Sequence, residues 1–138
     1  MDFKLSIFEH TFVRLLVPPF IGFLFYGGWA FWVNYEAGQT LALKAAFTQG
    51  GYSFTITLVL ALLIEWLFSR FKKWPFHLFF IGLITCSFLY VTSWSLNYFA
   101  GTPNILLTIL PGAAVSTVYT IIYILGLSKL AKYKKSDI

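Results

Sequence analysis

The sequence predicts an all-α membrane protein: four transmembrane helices, preceded by a short amphipathic interfacial helix, with both ends on the cytoplasmic side. Three observations predict it. Four apolar stretches long enough to cross a bilayer, about 20 residues at 1.5 Å rise each, lie at 18–35, 49–68, 76–98 and 107–127. Of the 138 residues 59% are hydrophobic and 11% charged, where soluble domains hold about 45–50% and roughly 25%, so this composition lacks the charge to cover a water-facing surface. Lysine and arginine, finally, gather on alternate connections between the stretches, which sets a direction across the membrane.

Residues 2–17 place Asp2, Ser6, Glu9, His10 and Arg14 at helical spacing, with Phe3, Ile7, Phe8, Phe12 and Leu15 largely opposite, the pattern of a helix lying in the membrane interface. Pro18 and Pro19 should end or turn it, because proline lacks an amide donor and disfavours helix in the residue before it. The first span is expected to start afresh there and to be retained, since no small-x-small cleavage site follows. The second span carries Gln49, Gly50, Ser53, Thr57, Ala61 and Glu65 at spacings of three or four, a single small and polar stripe. After the third span, Thr102 and Pro103 suit the cap and first position of a helix. The fourth helix is expected to start at Pro103, ahead of its span, and to bend or split at Pro111 and Gly112.

Lys4 and Arg14 precede the first span, Arg70, Lys72 and Lys73 join the second to the third, and four lysines follow the fourth. Only Lys44 lies in the first loop, and the loop at 97–106 is uncharged, so the positive-inside rule puts both termini in the cytoplasm. Trp32, Tyr35, Trp66, Trp74, Trp94 and Tyr98 fall near span ends, the depth aromatic residues prefer. Trp29 lies deeper. With no linker or repeat, residues 1–138 form one domain. The net charge of +5 never forms a basic and aromatic face, so nucleic acid is excluded as a partner. Cys86, the only cysteine, rules out an intrachain disulfide and a cysteine metal cluster.

Glu65 is the only acid inside a span, a functional candidate by its cost in lipid, although Arg70, Lys72 or Lys73 near the same edge could pair with it. His77 begins the next span, so the two could form a couple titrating near neutral pH. Gln49, Ser53 and Thr57 complete a stripe that serves either as a helix-packing seam or as a polar path. No His-Glu-x-x-His, Gly-x-Ser-x-Gly or phosphate-binding glycine loop occurs, so no catalytic residue, metal or cofactor is expected. In size and span number the chain is similar to small multidrug exporters, but their first-helix glutamate has no counterpart between Pro18 and Tyr35, and no family is assigned. The expected function is that of a small non-enzymatic protein of a bacterial cytoplasmic membrane, working in the lipid bilayer as a homo-oligomer or accessory subunit that assists lipid or small-molecule movement. The alternative is an autonomous transporter or channel whose path runs along the second helix at Ser53, Thr57 and Glu65.

Overall fold

The computed structural model describes the backbone of residues 2–136 and the side chains of residue 13 and residues 15–136. Four helices make up the chain: α1 (Asp2–Asn34), α2 (Gln39–Phe71), α3 (His77–Ala100) and α4 (Ile105–Ser136). All four contain a stretch long and apolar enough to cross a membrane. A 3₁₀ turn, Tyr35–Ala37, leads through Gly38 at φ +113° into α2. Each connection is five residues or fewer, which forces consecutive helices into antiparallel neighbours. Two connections and the α1 C-terminus share one end of the bundle, called here the two-loop end. The α2–α3 connection and the α4 C-terminus share the other.

α2 touches all three other helices, whereas α1 and α3 do not meet among the described residues. α2 and α4, running parallel, therefore form the short diagonal of the bundle. α1 and α2 pack closest, and glycine is the reason. A methyl group on Gly27 would sit 3.0 Å from the Ala46 carbonyl oxygen, and one on Gly50 would sit 3.0 Å from that of Phe23. Both neighbours are backbone, so the two helices approach as far as they do only because neither residue has a side chain.

The surface is inverted relative to a soluble bundle. Leu24, Phe25, Phe47, Leu62, Val91 and Ile122 each expose more than half of their surface, while Asn34, Gln49, Thr85, Asn97, Thr108 and Thr120 are buried to within 1%. Apolar side chains standing outward along every helix are satisfied by lipid, and amides turned inward must find partners within the protein. An apolar core of Leu60, Ile64, Leu67, Ile81, Leu89 and Ile124 joins α2, α3 and α4.

Several boundaries differ from expectation. α1 runs unbroken through Pro18 and Pro19, so the proline pair does not end one helix and begin another. Each proline removes one donor from the ladder, but its fixed φ near −65° suits a helix, and all the remaining amides of an apolar segment still require intrahelical partners. The amphipathic face at 2–17 falls almost wholly on side chains outside those described. α2 begins ten residues before the expected span, because Ala42 and Ala45 bury completely against the rest of the bundle and Leu41, Ala42, Leu43 and Lys44 all favour helix. α3 agrees within two residues, closed by Gly101 at φ +73° and by a Thr102 amide bond to the Asn97 carbonyl, a glycine-terminated helix end.

α4 begins at Ile105 rather than Pro103. Thr102 does not cap it: its hydroxyl donates to Asn97 Oδ1 at 3.0 Å, and the Asn104 carbonyl accepts the Thr108 amide instead. Nor does α4 split at Pro111. The missing Pro111 amide would have bonded the Leu107 carbonyl four residues back, and that carbonyl instead accepts the Trp29 indole N–H at 2.8 Å. A side chain from α1 thus fills the gap in the α4 ladder.

Candidate functional site

Below the two-loop end a cleft of about 620 Å³ opens among the four helices, within the range of ligand pockets. α2 provides its floor: Gln49, Ser53, Ile56, Thr57 and Leu60 recur at three- and four-residue steps and all line it. Tyr26 and Pro19 of α1, Leu89 and Ser93 of α3, and Gly112 and Ser116 of α4 complete the wall. Leu15, Leu58, Leu62 and Val115 line the same cleft and are themselves exposed, so it opens sideways through apolar side chains. None of the lining residues is Asp, Glu, Lys, Arg or His.

The helices around the cleft are held by hydroxyl and amide bonds. Tyr52 donates to the Leu89 carbonyl at 2.9 Å and lies 2.9 Å from Thr92 Oγ1, tying α2 to α3. The hydroxyls of Tyr90 and Thr117 tie α3 to α4. At the two-loop end Asn34 Nδ2 donates to Thr108 Oγ1 at 2.8 Å, and Asn34 Oδ1 accepts the Asn104 amide at 2.8 Å. These bonds, with that of Trp29, anchor α1 to α4 near that end.

Gln49 sits at the deep end of the cleft and is 1% exposed. Its Oε1 accepts from Asn97 Nδ2 at 2.8 Å, and Asn97 Nδ2 also donates to the Ser93 carbonyl at 2.9 Å. Gln49 Nε2 has no hydrogen-bond partner among the described residues, nor do the hydroxyls of Ser53 and Ser93, which are 4% and 6% exposed. Gly112 leaves the space in front of the amide, since a methyl group there would come to 3.6 Å from Nε2. Thr57 differs: its hydroxyl is committed to the Ser53 carbonyl at 2.6 Å. Three residues, each more than nine-tenths buried, therefore turn a free donor toward the open volume of one apolar-walled cleft. The amide nitrogen and the two hydroxyls are reachable from the cleft, unlike the fully buried Thr85 and Thr120 hydroxyls, so an acceptor in the cleft can bond to them.

The remaining sequence candidates lie elsewhere. Glu65 is exposed, and its Oε1 accepts from the Tyr123 hydroxyl at 2.5 Å rather than from Arg70, Lys72 or Lys73. His77 turns Nδ1 toward the Trp74 carbonyl at 3.2 Å and lies edge-on to Phe68. Glu65 and His77 are not joined: one faces α4, the other its own connection. Neither lines the cleft. Among the described residues no three His, Cys, Asp or Glu side chains converge as metal ligands. Sequence reasoning passed over Asn34, Ser93 and Tyr52 and assigned Asn97 to the outer loop, whereas it is buried within α3. An amide inside an apolar span, which lipid cannot satisfy, is the signal that could have singled out Asn34 and Asn97; Ser93 and Tyr52 carry none.

Comparison of the chain with protein-family models, with curated proteins and with solved structures produced no match.

Proposed function

We propose that this chain is a small, non-enzymatic, multi-pass membrane protein that holds a neutral lipid-like molecule in the cleft between its helices and, as an oligomer or accessory subunit, assists its movement. One observation carries the reading: free polar groups on Gln49, Ser53 and Ser93 at the closed end of a 620 Å³ cleft whose rim is apolar and open to the side. A molecule with a neutral polar end and an apolar body matches that lining, whereas an ion would enter a site with no compensating charge. Nine of the ten basic residues, all but Lys44, belong to the end with the chain termini, which supports cytoplasmic termini; a bacterial inner membrane is part of the same proposal. The oligomer or subunit role rests on the small size of a four-helix bundle, which buries little surface among its own helices.

Native mass spectrometry of protein extracted with its own lipids tests this reading. Wild type should retain a lipid-like mass that Ala61→Phe with Ala113→Phe, filling the cleft from two sides, loses at unchanged helix content. Equal occupancy in both proteins would end it. A second reading, autonomous transport along α2, is favoured by Gln49, Ser53 and Thr57 lining one cleft. It requires flux in vesicles holding this chain alone, which Glu65→Gln should not alter because Glu65 lies outside the lining.

A further inference from the structure

Resting on the cleft as a binding site, we infer that it selects a molecule whose polar end is a neutral hydrogen-bond acceptor of the carbonyl class, recognised by the Gln49 side-chain N–H₂. The inference turns on which way two amides face. An amide's oxygen and nitrogen differ only in hydrogen bonding, so its orientation follows from partners of known polarity. The Ser93 carbonyl supplies one, being an acceptor only. The Asn97 atom 2.9 Å from it must therefore be the nitrogen. Asn97 Oδ1, on the other side, accepts from the Thr102 hydroxyl at 3.0 Å, consistent with that orientation. The second proton of Asn97 Nδ2 points to Gln49 at 2.8 Å, and the Gln49 atom receiving it must be oxygen. Gln49 is thereby left with its nitrogen toward Gly112 and the cleft.

The closed end thus offers two amide protons, with the Ser53 and Ser93 hydroxyls beside them as further donors. A group that can only donate finds no match at Gln49. A carboxylate or phosphate would bring negative charge into a lining without a cation, and its desolvation exceeds what neutral donors return. A neutral carbonyl oxygen on an apolar tail satisfies the amide without that cost. Acyl esters and alkylated quinones share this chemistry. Asn97 and Thr102 act as positioning residues, because they determine which atom Gln49 presents.

The test uses the full chain in detergent, photolabelled with a fatty acid methyl ester carrying a diazirine in its tail. Unlabelled methyl ester, an alkyl benzoquinone, an alkane and an alkylamine of matched chain length compete. The ester or the quinone should displace the label about tenfold better than the alkane or amine, the ratio expected of a hydrogen bond to a buried donor. The stronger of the two identifies the source. Gln49→Leu should erase that preference while leaving alkane competition intact, and Asn97→Asp, which frees the Gln49 amide to turn, should weaken it. Label confined to cleft peptides, but with equal competition by all four molecules in wild type, would overturn this inference and leave the cleft reading standing. Label unaffected by Ala61→Phe with Ala113→Phe would overturn both. The wild-type comparison needs no variant to fold.

Discussion

Replacing Trp29 with phenylalanine tests whether α1 completes the hydrogen-bond ladder of α4. Pro111 has no amide, so the Leu107 carbonyl depends on the indole N–H at 2.8 Å. Trp29→Phe keeps an aromatic ring beside Trp32, whose centroid is 5.4 Å away, and removes only the donor. Interhelical hydrogen bonds in membrane proteins contribute about 0.6 kcal/mol on average and up to about 1.7 kcal/mol. A carbonyl deprived of any donor belongs in the upper part of that range, so a loss of about 1 kcal/mol is expected. Pro111→Ala restores an amide that can donate to Leu107 within the helix. In that background Trp29→Phe should cost close to nothing, giving a coupling energy of about 1 kcal/mol, or about fivefold in the unfolding constant. Unfolding of the four proteins in mixed micelles by titration with sodium dodecyl sulfate, followed by far-ultraviolet circular dichroism, yields the cycle. An equal cost of Trp29→Phe in both backgrounds would refute the ladder argument, leaving only ring packing.

Further outcomes follow from other residues. Gly27→Ala and Gly50→Ala should each destabilise by about 1–3 kcal/mol, the usual cost of overpacking, since the new methyl meets backbone oxygen at 3.0 Å; Gly28→Ala and Gly51→Ala, with open space, should not lower the melting temperature. The Thr85 and Thr120 hydroxyls are buried without partners among the described residues, so Thr85→Val or Thr120→Val should stabilise by about 1 kcal/mol, and a lowered midpoint would show that a further partner exists. In a Cys86→Ala background, cysteine placed at Ser136 should resist a membrane-impermeant thiol reagent in intact cells while cysteine placed at Gly38 reacts; the opposite pattern would reverse the proposed orientation.

Much of the architecture was legible because lipid imposes simple rules. Four apolar stretches of bilayer length became four helices, and α3 matched within two residues because the charged 70–73 segment before it and the turn at Gly101 after it bound the apolar stretch closely. Helix ends were less legible where span length was taken for helix length: α2 extends to Gln39 because alanine packing and propensity continue beyond the apolar segment. Prolines misled most. Pro18 and Pro19 read as the end of one helix and the start of another, yet both lie inside a continuous helix; Pro111, read as a bend or split, does not split α4, and the donor that replaces its missing amide lies 78 residues from the Leu107 carbonyl it serves.

The candidate site divides in the same way. Periodicity alone put Gln49, Ser53 and Thr57 on one face of α2. It put Glu65 there too, but whether that face meets a cleft, a tyrosine or a neighbouring helix depends on how far each partner stands off at that level. Glu65 faces Tyr123 and Thr57 turns back on its own helix, while Gln49 and Ser53 face empty volume because Gly112 gives α4 no side chain there. The chain's apolar length, charge placement and small-residue spacing suffice to specify a four-helix bundle for lipid, since each is a local match between side chain and solvent. Only tertiary structure decided that Asn97 turns the Gln49 amide toward a cavity, because hydrogen-bond polarity is settled by partners that the sequence keeps 48 residues apart.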